Sequence, residues 1–110
     1  MINVRLYKTK AGVLYGFEVK NHGKSIVCAA VSVLVLNTVN SIERFTKDQF
    51  VFDYNESGGY INFIHPVLKT GGDSHDAALL LNSMSLGLHG INDEYKNEIK
   101  IITEVSHELT

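Results

Sequence analysis

Two residues in this chain have types that could do covalent chemistry together: its only cysteine, Cys28, and His22, both within NHGKSIVCAAVSVL, residues 21–34. A thiol attacks a carbonyl as thiolate, and a free cysteine with a pKa near ~8.5 is mostly protonated at neutral pH. The first turn of a helix would favour the thiolate through its unpaired N–H groups, and Lys24 and a protonated His22 would add positive charge. His22 lies beside Gly23, whose backbone freedom lets the chain fold back toward the sulfur. If they meet, the imidazole serves as base toward the thiol and then as acid toward a leaving amine. Helix-start N–H groups would stabilise the oxyanion. The opposing reading is structural: an unpaired cysteine is among the most buried residue types, and this one is set among Val and Ala. Spacing alone leaves both readings open.

The elements that must position these residues follow from hydrophobic period. Ile2, Val4 and Leu6 alternate with polar neighbours, and Val13, Tyr15, Phe17 and Val19 continue the alternation beyond a turn at Lys8 to Gly12, so residues 2–20 read as an antiparallel hairpin. A loop is expected at Asn21 to Lys24. Ser25 to Phe45 contains neither Gly nor Pro and is too long for a strand. It reads as a helix with Ser25 as N-cap, which places Cys28 in the first turn. Gln49–Asn55 and Gly59–Ile64 form a second hairpin across Glu56, Ser57 and Gly58, closed by His65-Pro66. Lys69 to Asp73 reads as a loop. Ala77, Leu81, Met84, Leu88, Ile91 and Tyr95 line one face of a second helix, Ser74 to Tyr95, capped by Asp73 or Ser74. Ile99, Ile101, Thr103 and Val105 alternate as a last strand. The order ββαββαβ implies an α+β fold of two layers, a mostly antiparallel sheet with both helices on one face. The first helix is apolar almost all round, so surface beyond a single stripe must meet another helix or another subunit; a homodimer is expected.

Composition narrows the function classes. With 110 residues, 45% hydrophobic and 20% charged, the chain has the balance of one globular domain spanning residues 1–110. A net charge of -2 and the lack of a basic run argue against direct nucleic-acid binding. A single cysteine makes no internal disulfide, which suits a reducing compartment, and no Cys/His spacing suggests zinc, so no metal or cofactor is expected. His65, His75, His89 and His107 read as surface or locally bonded side chains. Tyr54, Tyr60 and Phe63 lack basic neighbours and read as core or peptide-contacting aromatics. The start MINVRLYKTK lacks a signal-peptide pattern, and the apolar tract Ile26 to Leu36, interrupted by Ser32, falls short of the ~20 residues that span a bilayer. The expectation is a cytoplasmic protein without membrane attachment.

The segment HGKSIVCAAVSVL, and most specifically IVCAAVS at Ile26 to Ser32, resembles the motif of the ribosomal-processing cysteine proteases (Prp). The likeness extends more weakly through Asn40-Ser41-Ile42-Glu43, Gly58-Gly59-Tyr60 and Glu94-Tyr95. It implies a cytoplasmic homodimeric cysteine endopeptidase that removes a short N-terminal extension from a bacterial large-subunit ribosomal protein. Cys28 would be nucleophile and His22 general base and acid. Asn21, Gly23, Ser25 and Ser32 would contact the substrate. Asn21 stands where the motif has glycine, Gly23 where it has alanine and Ser25 where it has aspartate, and the connection from histidine to cysteine is shortened. A different class remains in view, a non-catalytic dimeric module on the same fold that binds protein or ribosome.

Overall fold

The computed structural model of the protein describes residues 1–20, 25–55 and 59–106. The loop expected at Asn21 to Lys24, the turn Glu56 to Gly58 and His107 lie outside the described residues. Five strands and three helices follow in the order β1 (Ile2–Lys8), β2 (Leu14–Lys20), α1 (Ile26–Phe45), β3 (Val51–Asn55), β4 (Tyr60–Ile64), α2 (Pro66–Lys69), α3 (His75–Glu94) and β5 (Ile99–Val105). This is the expected ββαββαβ order with one addition. The segment beginning at Pro66 winds into the single turn α2 before reaching the expected loop, because proline suits a first helical position and the side chain of His65 accepts from the N–H of Leu68.

The strands form one mixed sheet in the order β3-β4-β2-β1-β5. Three neighbouring pairs are antiparallel, and β5 returns beside β1 in parallel, with Ile2 opposite Ile99 and Lys8 opposite Val105. Alternation decides which residues face inward. Ile2, Val4 and Leu6 of β1, Phe17 and Val19 of β2, Ile61 and Phe63 of β4 and Ile99 of β5 are buried in one cluster with the inner faces of α1 and α3. α1 contributes Val27, Cys28, Val31, Val35, Val39 and Ile42; α3 contributes Ala77, Leu81, Met84 and Leu88. Phe63 stacks on Phe17 with ring centroids 5.5 Å apart, so it belongs to the core and not to an exposed platform.

Gly16 and Gly87 set close approaches between the long elements. A Cβ at Gly16 would lie 2.2 Å from the backbone oxygen of Phe63 on the neighbouring strand. A Cβ at Gly87 would lie 2.8 Å from Cδ2 of Leu34, which shows how closely α3 lies against α1. By length and apolar character α1 could cross a bilayer, more than the Ile26 to Leu36 tract suggests, yet its inner face is committed to the core. Its outer side is apolar too: Ile26 is 77% exposed and Val33 69%.

Candidate active site around Cys28

β2 ends at Lys20, and α1 begins at Ile26 with Ser25 as N-cap. Ser25 is extended, and its hydroxyl accepts the N–H of Cys28 at 3.1 Å while its carbonyl accepts from the N–H of Ala29, also at 3.1 Å. Cys28 is therefore the third residue of the helix, held by its own backbone to the capping side chain. Burial of Val27, Cys28 and Val31 against the sheet turns the cysteine inward, leaving it 3% exposed. Ser25 itself is exposed.

Burial pushes the Cys28 thiol up from its usual range, and a hydrogen bond from the Ser32 side chain one turn on pulls it partly back. A helix start favours thiolate, as the sequence leads one to expect; among the described groups, desolvation is the larger effect. A sulfur buried with Val27 and Val31 in the core cluster gives up water, and that penalises the charged form. Of the residues singled out in the sequence, Ser25, Cys28 and Ser32 come together in the first two turns of α1. Asn21, His22 and Gly23 lie outside the described residues. Ser25 meets Cys28 through the backbone, as a cap, and Ser32 meets it through the sulfur.

Four N–H groups at a helix start have no partner within the helix. Here Ser25 takes those of Cys28 and Ala29. The amides of Ile26 and Val27, at the same helix start, have no acceptor among the described residues.

A second polar cluster was not legible in the sequence. His65 is fully buried, not at the surface, and its ring joins residues far apart in the chain. Nδ1 accepts from Leu68 N–H at 3.2 Å, which puts the ring proton on Nε2, 2.8 Å from Oδ2 of Asp48. The same carboxylate oxygen accepts from the hydroxyl of Ser74. Ser74 does precede α3 as expected, but its side chain makes no capping bond to that helix because it is turned to Asp48. The Ser74 hydroxyl and then His65 hold the Asp48 carboxyl below its usual range. Types alone suggest a hydrolytic triad; the order of bonds does not, since Asp48 stands between the other two and histidine never reaches the serine. The cluster also lies beyond the far end of α1, which rises about 25 Å between Cys28 and Phe45 at 1.5 Å per residue. It is a structural junction and has no access to the thiol. His75 and His89 match the reading as local surface groups, bonded to Asp76 at 3.1 Å and to the Ser85 carbonyl at 3.0 Å.

Comparison with known proteins gives a consistent picture. The family described as cysteine protease Prp matches residues 1–100. The ribosomal processing cysteine protease Prp of Bacillus subtilis (strain 168) is 30% identical over 84 residues, covering 76% of this chain and 75% of that protein. Its namesake in Staphylococcus aureus (strain Mu50 / ATCC 700699) is 28% identical over 80 residues, covering 73% and 72%. Among solved structures, the S. aureus Prp protease in complex with a substrate peptide superposes with a TM-score of 0.84 at 24% identity, over 94% of this chain and 100% of that one, a likeness of fold. The same protease with a covalently linked product peptide gives 0.83 at 25% identity, again over 94% and 100%. A cysteine at the start of α1, a two-layer fold shared with these structures and a family match across nearly the whole chain lead to one conclusion: the chain belongs to the cysteine protease Prp family.

Proposed function

We propose that the protein is a cysteine endopeptidase that removes the N-terminal extension of a bacterial large-subunit ribosomal protein, with Cys28 as nucleophile and His22 as general base and acid. The observation that carries this reading is the placement of Cys28 as the third residue of α1, with its sulfur bonded by Ser32 and its amide fixed by Ser25. In the first step the thiol proton passes to the His22 imidazole as Sγ attacks the scissile carbonyl carbon. The carbonyl oxygen takes the negative charge, and the amides of Ile26 and Val27 are the donors offered to that oxyanion. Collapse of the intermediate breaks the C–N bond, with the leaving amine taking the proton from the imidazolium. Water, deprotonated by the same imidazole, then cleaves the thioester and restores the thiol. No metal or cofactor enters these steps. The remaining residues of the motif, Asn21, Gly23, Ser25 and Ser32, surround the scissile bond in this reading.

A lone cysteine without a disulfide partner fits a reducing, cytoplasmic setting. Exposed apolar residues on the helix layer, Ile26 and Val33 of α1 and Leu79 and Leu86 of α3, favour a homodimer in which a second copy covers them. The test is cleavage of a synthetic peptide carrying the ribosomal extension and its junction, by the wild-type protein and by Cys28→Ala and Cys28→Ser. Only the wild type should release both fragments at an appreciable rate; equal release by all three would sink the proposal. One observation favours the alternative of a non-catalytic binding module: the cysteine is buried and its thiol pushed up. Alkylation followed by intact mass separates the two, since a structural thiol resists reagent until the protein unfolds, whether or not peptide is bound.

A further inference from the structure

The sheet ends in β5, whose outer edge carries no strand among the described residues. The Glu98 carbonyl accepts from Ile2 N–H at 3.0 Å, and Ser106 N–H donates to the Lys8 carbonyl at 2.8 Å, so the even-numbered positions of this segment turn their backbone groups to β1. The N–H and C=O groups of Ile99, Ile101, Thr103 and Val105 therefore point to the open edge. Proline, a bulge or an unmatched charge commonly blunts such an edge. β5 has no proline, and its parallel register with β1 runs from Ile99 to Val105 without a bulge. It does carry two exposed charges, Lys100 and Glu104. Ile99 is buried in the core cluster, so by alternation Lys100, Ile102 and Glu104 share the face turned away from the helices.

These charges are placed symmetrically about Ile102. When two copies of β5 run antiparallel with Ile102 opposite Ile102, each Lys100 faces Glu104 of the other copy, and the outward groups of Ile101 face those of Thr103 to exchange both bonds. Sliding by two residues keeps the outward groups matched but loses the ion pairs: in one direction Glu104 meets Glu98, and in the other neither charge meets its opposite. Charge therefore selects one register. We propose that β5 pairs with β5 of a second copy of this chain in that register, joining the two sheets into one about a two-fold axis at Ile102. Ile102 and Val105, 41% and 43% exposed, would be covered, and Glu104, already 3.4 Å from Arg5, would gain a second cation. β3, at the opposite edge, has Asp53 as its one charge and offers no such self-match. The contact uses a different surface from the helix layer and does not depend on the proteolytic reading.

A disulfide reports this edge alone and is blind to association through the helix layer. In full-length protein carrying Cys28→Ser, Ile102→Cys places the one thiol on the two-fold axis, where facing Cα atoms of a non-hydrogen-bonded pair lie about 4.5 Å apart, within disulfide reach. Val105→Cys is as exposed, but its counterpart lies six residues along the strand, about 20 Å away. Under copper-phenanthroline oxidation Ile102→Cys should form linked dimer at least about tenfold faster than Val105→Cys. Adding Lys100→Glu or Glu104→Lys to Ile102→Cys turns both cross-strand ion pairs into like-charge pairs and should slow linkage about tenfold. Mixing those two variants restores both ion pairs, so the mixed dimer, distinguished by its mass, should form at the original rate. Equal rates for Ile102→Cys and Val105→Cys, or a mixture no faster than either charge variant alone, overturns the proposal.

Discussion

At the residue scale the chemistry turns on how a buried thiol is made to ionise. Two neighbours touch Cys28 in different ways: Ser25 through the amide and Ser32 through the sulfur. Their removal should therefore have different signatures. Ser32→Ala takes away the one described interaction that lowers the thiol, so the folded-state value rises further and less thiolate is present at any given pH. Loss of about 1 kcal/mol of hydrogen bonding corresponds to roughly fivefold slower alkylation at neutral pH, read from the rate against pH. The fully alkaline rate should be unchanged. Ser25→Ala leaves the sulfur untouched and removes the cap, which costs about 1 kcal/mol of stability in thermal or denaturant unfolding. The motif was visible in the sequence because cap, cysteine and Ser32 sit at helical offsets. The direction of the thiol's shift was not, because it depends on how deeply Cys28 is buried in the core cluster, which no local pattern states.

At the scale of elements, period two marks the strands and period 3.6 the second long helix, α3. Length decides between helix and strand for the Val-rich stretch of α1, and the structure agrees. What stayed hidden was long-range. β5 lies parallel to β1, a pairing that spans nearly the whole chain, and alternation cannot say which edge a last strand joins. Likewise the run from His65 to Leu68 offers proline as a breaker, whereas a histidine ring and the N1 preference of proline turn it into a helical turn. Gly16 reads locally as a weak strand residue; its meaning lies across the sheet, where the backbone of Phe63 fills the space of a side chain. Gly16→Ala forces β2 and β4 apart and should destabilise by about 1–3 kcal/mol, the usual cost of overpacking, measured as a lower denaturation midpoint.

At the scale of the whole molecule, two features depend on parts far apart in the chain. Asp48 joins the segment before β3 to His65 after β4 and to Ser74 before α3. Its folded-state pKa is held below the unfolded value, so the stability it contributes is complete above the ordinary carboxylate range and is lost as pH falls through the depressed value. Asp48→Asn should flatten that acid limb of the stability curve while lowering stability near neutrality, since the amide cannot satisfy both partners as an anion does. The second feature is the apolar outer side of the helix layer. For the proposed homodimer, Val33→Glu and Leu86→Glu, each placing a charge on an exposed position, should shift the protein toward monomer in sedimentation velocity without unfolding it. An unchanged sedimentation coefficient for both would remove these faces from any interface.

Whether Cys28 is the nucleophile is read from the intact mass of the protein after mixing with a ribosomal-extension peptide and acid quenching within the first turnover. Nucleophilic attack by Cys28 predicts a mass increase equal to the N-terminal fragment less one water, mapped to Cys28 and missing from Cys28→Ala. Cleavage of the same peptide by Cys28→Ala at the wild-type rate would contradict it.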